Sequence, residues 1–267
     1  MSAVVVSALN LYPVKSLAGV AVPRVALDAT GPAGDRRWMI VDEGGRFLTQ
    51  RELPGMARFT PGLTPGGLRI QAPDGDTLAV PVPPPDAPRA EVTVWKSALS
   101  AACAPEAAHA WLSERLGRAA RLVYMDAACV RPVNPKRGQP GDVVSFADGY
   151  PLLLTAEASL AWLNVRLDAP VPMTRFRPNV TITGAAPFAE EGWRAFRIGE
   201  ILFEITHPCE RCSIVNVDPD LGVRAGPQPL KALAKHHRVD GKVCFGVNVI
   251  HRGRGAIAVG DPVGIVY

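Results

Sequence analysis

The chain contains 267 residues, of which 48% are hydrophobic, and it carries a formal net charge of +4. This length permits one large domain or two smaller ones with real hydrophobic cores. The small charge and the lack of a long Lys/Arg run argue against a nucleic-acid-binding protein, and no segment approaches the roughly 20 apolar residues that span a bilayer. The N-terminus has no basic segment leading into an apolar one, and five cysteines are an odd number for a disulfide framework. We therefore expect a soluble, cytoplasmic protein with reduced thiols.

Turn-forming residues are abundant throughout the chain. There are 25 Gly and 26 Pro but only 8 Phe and 4 Tyr, which favours short strands over long helices. In the first third, alternating or β-branched segments predict strands at Val4 to Leu11, Trp38 to Val41, Phe47 to Thr49, Leu68 to Gln71, Leu78 to Val80 and Glu91 to Trp95. The proline-dense segment 80–86 predicts an exposed loop. This third of the chain therefore predicts a small barrel or sandwich.

Two helices and a basic loop are predicted in the middle of the chain. The first helix begins at Pro105 and ends before Gly117. A strand from Arg121 to Tyr124 follows, and then a long loop over residues 126–142 that contains Arg131, Lys136 and Arg137. For the second helix, Thr155 is the expected N-cap, and the apolar stripe consists of Ala156, Leu160, Leu163 and Leu167.

The last third of the chain is predicted to be mostly strand. The predicted strands are Asn179 to Thr183, Phe196 to Ile198, Ile201 to Thr206, Cys244 to Ile250 and Val263 to Val266. A short helix is expected near Pro229 to Ala234. Taken together, these elements predict an α+β, β-rich protein.

Potential metal ligands are densest in the segment His207-Pro208-Cys209-Glu210-Arg211-Cys212, directly after a predicted strand. A thiolate suits a soft, high-valent metal, and Arg211 is expected to lower the thiol pKa and so favour the ligating form. Alternatives are a pair of buried structural cysteines, a redox dithiol, or a zinc site completed by His207, His236, His237 or Cys244. The dithiol would normally lie at a helix N-terminus, whereas strands are predicted on both sides here. Zinc would need two further ligands at matching spacing.

Side chains that could bind an anion occur in two regions. Arg175, Arg177 and Asn179 lead into a predicted strand, and their planar donors suit a phosphate or the edge of a heteroaromatic ring. An arginine pair of this kind can equally be a solvated sheet edge. Earlier in the chain, Lys15-Ser16 and Asp35-Arg36-Arg37 interrupt apolar segments, where a plain barrel strand would not place charge.

Several motifs resemble one family over nearly the whole chain. The N-terminal ones are Leu11-Tyr12-Pro13-Val14-Lys15-Ser16-Leu17-Ala18-Gly19, Gly34-Asp35-Arg36-Arg37-Trp38 and Thr49-Gln50-Arg51. The later ones are Arg175-Phe176-Arg177-Pro178-Asn179, Pro208-Cys209-Glu210-Arg211-Cys212, Val217-Asp218-Pro219-Asp220-Leu221-Gly222 and Val259-Gly260-Asp261-Pro262-Val263. Their order and spacing resemble the MOSC family, that of the mitochondrial amidoxime reducing component and its bacterial relatives. The resemblance implies a MOSC N-terminal β-barrel domain over residues 1–120 and a MOSC β-barrel domain with a few helices over residues 121–267.

The resemblance also implies a cofactor and its site. The cofactor would be the molybdenum cofactor, Mo-molybdopterin, whose metal is bound by the thiolate of Cys212, which would also be the catalytic residue. Cys209 would then be structural. The residues that match cofactor-binding positions of the family are Lys15, Ser16, Arg36, Asp148, Gly149, Tyr150, Arg177, Asn179, Arg211 and Cys212.

The implied activity is the reduction of N-hydroxylated compounds, such as amidoximes or hydroxylamines, in which the cofactor carries the difficult chemistry. No ferredoxin-like cysteine cluster follows the MOSC motifs, so electrons are expected from a separate ferredoxin-like, flavin or cytochrome b5-type reductase system. The alternative is a carrier of the cofactor or of persulfide sulfur without turnover of its own. A metal-free binding module would be favoured only if Lys15, Arg36 and Arg177 proved to lie far apart. No nucleic-acid or membrane partner is expected.

Overall fold

The computed structural model describes residues 3–267. Up to residue 124 the strands are β1 (Val5–Leu11), β2 (Val20–Val22), β3 (Arg24–Asp28), β4 (Gly31–Pro32), β5 (Trp38–Val41), β6 (Thr60–Thr64), β7 (Gly67–Gln71), β8 (Thr77–Pro81), β9 (Arg89–Val94), β10 (Ser97–Cys103) and β11 (Arg121–Tyr124). The later strands are β12 (Leu152–Ala156), β13 (Val180–Thr183), β14 (Ala195–Ile198), β15 (Ile201–Glu210), β16 (Val217–Asp218), β17 (Val223–Arg224), β18 (Arg238–Val239), β19 (Lys242–Arg252), β20 (Gly255–Ala258) and β21 (Val263–Val266).

Helices are few and short. The α-helices are α1 (Glu106–Leu116), α2 (Glu157–Asn164) and α3 (Leu230–His236), and the 3-10 helices are Pro54–Arg58, Met173–Phe176, Ala189–Gly192 and Ser213–Asn216. The predicted β-rich α+β class is therefore confirmed. Among residues 3–267, no helix is long and apolar enough to cross a membrane.

The largest sheet has the strand order β2-β1-β13-β12-β19-β15-β14-β21, with β18 paired to β19. The backbone N–H of Val263 donates to the carbonyl of Val4 at 2.8 Å, and that of Val6 donates to Asp261 at 2.9 Å. These bonds join the last strand to the first, so the sheet closes into a barrel. Its interior is filled by apolar side chains, among them Val6, Leu154, Phe203 and Val249.

Strand pairing crosses the predicted domain boundary at residue 120 in three places, one of which is the pairing of β3 with β20. β1 pairs with β13 of the C-terminal barrel, whereas β11 pairs with β5 and β10 of the N-terminal half, in a sheet with the order β5-β11-β10-β9. A second hydrophobic core fills the N-terminal half and includes Trp38, Met56, Leu112 and Leu122. The first and second halves of the chain are thus interleaved, and the boundary at residue 120 stays a prediction.

The helix prediction over residues 155–167 was wrong at both ends. Thr155 is fully buried in the central strand β12, which pairs with β13 on one side and β19 on the other, and α2 begins only at Glu157 and ends at Asn164. Every residue of β12 is buried, so its sequence shows no alternation and merges with the apolar stripe of the helix. The first helix, in contrast, was predicted to within a residue, and Gly117 closes it in the left-handed conformation.

Two strand predictions were also wrong. Phe47 to Thr49 is not a strand, because Phe47 forms only an isolated bridge with Val41. β15 does not end at Thr206 but continues to Glu210, so Cys209 lies within the strand. The register against β19 shifts on either side of Pro208, and such bulges are where a strand can accommodate proline.

Candidate functional site

A cavity of about 520 Å³ lies between the N-terminal half and the C-terminal barrel. All ten residues that the sequence indicated as a cofactor site line it: Lys15, Ser16, Arg36, Asp148, Gly149, Tyr150, Arg177, Asn179, Arg211 and Cys212. A metal-free binding module would have been favoured if Lys15, Arg36 and Arg177 lay far apart. They line one cavity, so that alternative is not favoured.

Strand order explains how distant segments meet at this cavity. Lys15 and Ser16 follow the end of β1, while Arg177 and Asn179 precede its antiparallel neighbour β13. Residues 148–150 precede β12, which runs parallel to β13. The end of one strand therefore lies beside the beginnings of its neighbours, and all three segments reach the same edge of the sheet.

The backbone is locally strained around the cavity. Within residues 3–267, six residues other than glycine have positive φ, and four of them line it: Ser16 (69°), Arg36 (47°), Trp95 (56°) and Arg177 (57°). This conformation is unfavourable for residues with a Cβ and persists where the surrounding structure imposes it. Its concentration at one place is typical of a functional site.

Arg36 and Arg177 are both stacked on the buried ring of Tyr12, with guanidinium carbons 4.2 and 4.3 Å from the ring centre. Arg36 Nη1 also donates to Asp35 Oδ2 at 2.5 Å and to Asn179 Oδ1 at 3.0 Å. Arg36 therefore has a carboxylate partner and mainly holds these segments together. The charge of Arg177 is not compensated in this way.

Three arginines on the cavity wall have no carboxylate partner. Within residues 3–267, Arg51, Arg177 and Arg211 form no salt bridge. Arg177 Nη1 donates to the carbonyl of Leu17 at 2.7 Å, and burial lowers the pKa of its guanidinium to about 10. Buried Nε of Arg211 has no hydrogen-bond partner in the described chain. Half-buried cations without anions are unfavourable, so this wall is suited to an anionic ligand.

Asp148 joins the two sides of the cavity. Its Oδ1 accepts hydrogen bonds from Lys15 Nζ at 2.6 Å and from the indole nitrogen of Trp95 at 3.2 Å. The charge and the hydrogen bond of Lys15 lower the pKa of Asp148, whose own side chain is largely exposed. Burial also lowers the pKa of Lys15, against the attraction of Asp148. The pair thus places one carboxylate and one ammonium group side by side on the wall.

The two neighbouring cysteines differ in their surroundings. Cys212 is exposed and directly precedes the 3-10 helix Ser213–Asn216, whereas Cys209 is half-buried in β15. Arg211 was expected to act on the ligating thiol, but its Nη1 lies 3.0 Å from Sγ of Cys209. The reason is the twofold period of extended backbone, which places residues 209 and 211 on the same side of the chain.

The predicted basic loop over residues 126–142 contains two arginines that donate to backbone carbonyls. Arg131 is buried, and its guanidinium donates to the carbonyls of Ser145 at 3.1 Å, Ala147 at 2.5 Å and Asp148 at 2.8 Å. Arg137 Nη1 donates to the carbonyl of Thr206 at 2.9 Å. Arg131 therefore fixes the segment that carries Asp148 and is not available to a ligand.

Several lining residues were not among the predicted site residues. They include Phe47, Gln50, Arg51, Trp95, Phe176 and Asn248. Gln50 and Arg51 stood in a recognised motif, and Asn248 is a polar residue inside the apolar segment 244–250, which is a signal that could have been used. Trp95 and Phe47 carried no such signal, because aromatic residues in predicted strands are usually core.

Two stretches of the chain match known domain families. Residues 3–119 match the MOSC N-terminal beta barrel domain, and residues 141–264 match the MOSC domain. The chain belongs to the MOSC family. It is 31% identical over 276 residues to mitochondrial amidoxime-reducing component 1 from Homo sapiens, covering 97% of this chain and 82% of that protein. The corresponding protein from Xenopus laevis is 30% identical over 278 residues, covering 97% and 81%.

The chain also matches part of a longer protein, a molybdenum cofactor sulfurase. Molybdenum cofactor sulfurase from Oryza sativa subsp. japonica is 33% identical over 257 residues. The match covers 89% of this chain but 31% of the sulfurase. The predicted MOSC family membership is thus confirmed, with relatives in both an amidoxime-reducing and a cofactor-sulfurase group.

Proposed function

We propose that this MOSC protein binds the molybdenum cofactor in the cavity, with Cys212 as metal ligand, and reduces N-hydroxylated compounds. The observation that carries the proposal is an exposed thiol on a wall that also presents arginines without carboxylate partners. An anionic pterin with a phosphate group would supply the charge that these arginines lack. The kinship with amidoxime-reducing components supports this choice of cofactor and reaction.

The donor set fits such a cofactor. Arg177 and Arg211 present planar donors that have no carboxylate partner. Ser16 and Arg177, whose backbone has positive φ, line the same cavity. Within residues 3–267, no three His, Cys, Asp or Glu side chains are grouped closely enough to hold a metal ion. A metal bound to Cys212 would accordingly take its remaining ligands from the cofactor.

The residues of the chain itself would bind and orient the ligands and would transfer protons. When bound, the cofactor supplies the two-electron chemistry that removes the N–O oxygen as water. Lys15 holds a proton at Nζ, 2.6 Å from Asp148 Oδ1, and because the pKa of Lys15 is lowered while Asp148 stays ionised, Lys15 would be the proton donor of this pair and Asp148 would orient it. Arg211 orients the end of β15 by donating to the carbonyl of Phe176 at 2.6 Å, and thereby positions the following Cys212.

We further propose that a separate redox protein, of the ferredoxin-like, flavin or cytochrome b5-type reductase kind, supplies the electrons, and that the protein is cytoplasmic. A second candidate function is a carrier that hands the cofactor, or sulfur held as a persulfide on Cys212, to other enzymes. Two observations favour it: the exposure of Cys212 and the kinship with a cofactor sulfurase.

The experiment compares wild type, Cys212→Ala and Cys209→Ala, each expressed where the cofactor is made. Molybdenum and pterin contents are measured, together with the reduction of hydroxylamine and of an aryl amidoxime by an artificial donor. The proposal expects stoichiometric molybdenum and turnover in wild type, loss of both in Cys212→Ala, and retention in a folded Cys209→Ala. Molybdenum without turnover would support the carrier, and equal molybdenum in both variants would contradict Cys212 as the ligand.

A further inference from the structure

A groove of about 410 Å³ lies on the outer face of the C-terminal barrel, where β14 pairs with β15 on one side and β21 on the other. Among residues 3–267, the groove and the cavity have no lining residue in common. Phe196 and Ile198 of β14 belong to the barrel core. By the twofold alternation of a strand, Ala195 and Arg197 therefore lie on the outer face and line the groove.

The floor of the groove is apolar. Three apolar side chains line it: Leu202, Ile205 and Val266. Small residues keep the floor low, since Ala195 lines the groove and Gly264 lies opposite Arg197 on β21. A Cβ added at Gly264 would lie 4.0 Å from Cβ of Arg197. An apolar side chain of a partner could therefore be buried on this floor.

Three exposed arginines surround the floor: Arg137, Arg194 and Arg197. Within the chain from residue 3 to 267, none of the three forms a salt bridge. Glu204 also lines the groove, but its Oε2 lies 2.6 Å from Nη2 of Arg252 and is thereby neutralised. The positive charge of the groove is thus left without a counter-charge, which favours a partner with carboxylates on its surface.

Two of these arginines are oriented by the backbone. Arg137 Nη1 donates to the carbonyl of Thr206 at 2.9 Å, and Arg197 Nη1 donates to the carbonyl of Glu200 at 3.2 Å. A guanidinium group has five N–H donors, so each arginine keeps further donors for a carboxylate. The arginines are therefore held at the edges of the groove and can still bind an anion.

Strand β15 connects the groove with the cavity. Thr206 lines the groove, and Cys209 of the same strand lines the cavity, which is about 10 Å farther along extended backbone. Between them, His207 packs edge-on against Tyr150 of the cavity wall, with ring centres 4.9 Å apart. A protein partner typically covers about 800 Å² on each side of an interface. A partner seated on the groove would therefore extend towards the cavity.

We propose that this groove is the docking site for the acidic face of a small electron-transfer protein. The inference rests on the proposed function, because only a reductase needs electrons at the cavity. Conversion of N–OH to N–H with release of water consumes two electrons and two protons, so a one-electron donor is oxidised in two successive dockings. Carboxylates of the donor would pair with Arg194 and Arg197, and an apolar side chain between them would cover Leu202.

A protein suits this groove better than other polyanions do. Nucleic acids bind through many phosphate contacts along a stripe of Lys and Arg, whereas three arginines here surround an apolar floor. Binding to a lipid surface favours an apolar face that inserts between headgroups, and this apolar floor lies in a groove. An apolar centre with a charged rim is the usual arrangement of a protein interface.

The first test measures the association rates of two acidic probes, a plant-type ferredoxin and a soluble cytochrome b5 domain, with the loaded protein at several salt concentrations. The double variant Arg194→Gln/Arg197→Gln should lower the association rate about fivefold and flatten its salt dependence, because rim charges act mainly on the encounter. Arg69→Gln/Arg118→Gln removes two exposed arginines outside the groove and is the matched control. Equal effects of the two double variants, or no binding of either probe to wild type, would overturn the proposal.

The second test separates docking from catalysis. With an artificial donor, loaded Arg194→Gln/Arg197→Gln should reduce an amidoxime at the wild-type rate. With a protein donor, the KM for that donor should rise about fivefold while the KM for the amidoxime stays unchanged. A loss of activity that is equal with both donors would contradict a docking role.

Binding of the same probes to cofactor-free protein tests the groove even if the reductase function fails. Arg194→Glu/Arg197→Glu should abolish this binding, because the reversed charges repel an acidic face. Vesicles that contain phosphatidylserine are the comparison. If vesicle binding depends on the two arginines and probe binding does not, the groove belongs to a membrane surface and the proposal is refuted.

Discussion

The guanidinium of Arg211 contacts Cys209, with Nη1 3.0 Å from Sγ, and leaves the neighbouring Cys212 without this contact. The same side chain donates to the carbonyl of Phe176 through Nη2 at 2.6 Å. Arg211 therefore ties the end of β15 to the segment before β13, which carries Arg177. One thiol is held within the fold, while the other is exposed on the cavity wall.

This difference predicts selective chemical labelling. In cofactor-free protein, iodoacetamide at pH 8 should modify Cys212 first, at least about tenfold faster than the other cysteines, because alkylation requires an accessible thiolate. Burial raises the pKa of the Cys129 and Cys244 thiols to about 11, so both should react slowly. Mass spectrometry of peptides over time measures the rates. Cys212→Ser should remove the fast reaction, and a fast reaction at Cys209 instead would contradict the assignment.

A second prediction concerns Arg131, which holds three carbonyls of the segment 145–148. Replacing it with methionine keeps the bulk but leaves buried carbonyls without donors, so we expect a loss of about 2–4 kcal/mol in the free energy of unfolding. Lys136→Gln, an exposed residue of the same loop, should change stability by less than about 0.5 kcal/mol. Urea unfolding measures both. Equal stability of the two variants would show that the Arg131 contacts contribute little.

These examples show which features the sequence could predict. The caps of α1 are local signals, and Pro105 and Gly117 predicted its ends to within a residue. The end of β12 could not be predicted in this way. The strand is buried on both faces, so its sequence does not alternate, and its apolar residues are continuous with those of α2. Sequence neighbours also suggested that Arg211 acts on Cys212, whereas strand geometry directs it to Cys209.

The cavity could be predicted only in part. Its cations were visible as charges within apolar segments, but Lys15 and Arg177 lie 162 residues apart, and only the family resemblance grouped them before the fold did. Whether each charge is free or paired was not predictable. Arg36 proved to be bound to Asp35 and Arg131 to backbone carbonyls, because these partners depend on side-chain placement.

A third prediction tests Arg177 as an anion ligand. Arg177→Asn is the preferred variant because asparagine tolerates the left-handed backbone found here, with φ of 57°. Loss of a charge-assisted hydrogen bond should weaken cofactor retention by about 1.5–3 kcal/mol. The molybdenum and pterin that remain bound after prolonged dialysis measure cofactor retention. Arg177→Lys keeps the charge without the planar fork, so its retention should lie between that of wild type and that of Arg177→Asn. Full retention in Arg177→Asn would remove this residue from the site.

The last prediction concerns stability and pH. His207 packs edge-on against Tyr150, its Nδ1 lies 3.0 Å from Thr206 Oγ1, and burial lowers its pKa from 6.5 to about 4. As the pH falls, the unfolded chain takes up a proton on His207 before the folded protein does. The contribution of neutral, buried His207 to the free energy of unfolding is therefore fully present above pH 6.5 and is lost as the pH falls from 6.5 towards 4. Allowing for partial exposure, the loss should be on the order of 1–3 kcal/mol. Urea unfolding at pH 7.5, 6.5, 5.5 and 4.5 measures it, and His207→Gln should show a shallower decline, with a residual slope from His251, whose pKa burial also lowers. The same decline in both proteins would mean that His207 is not the group responsible.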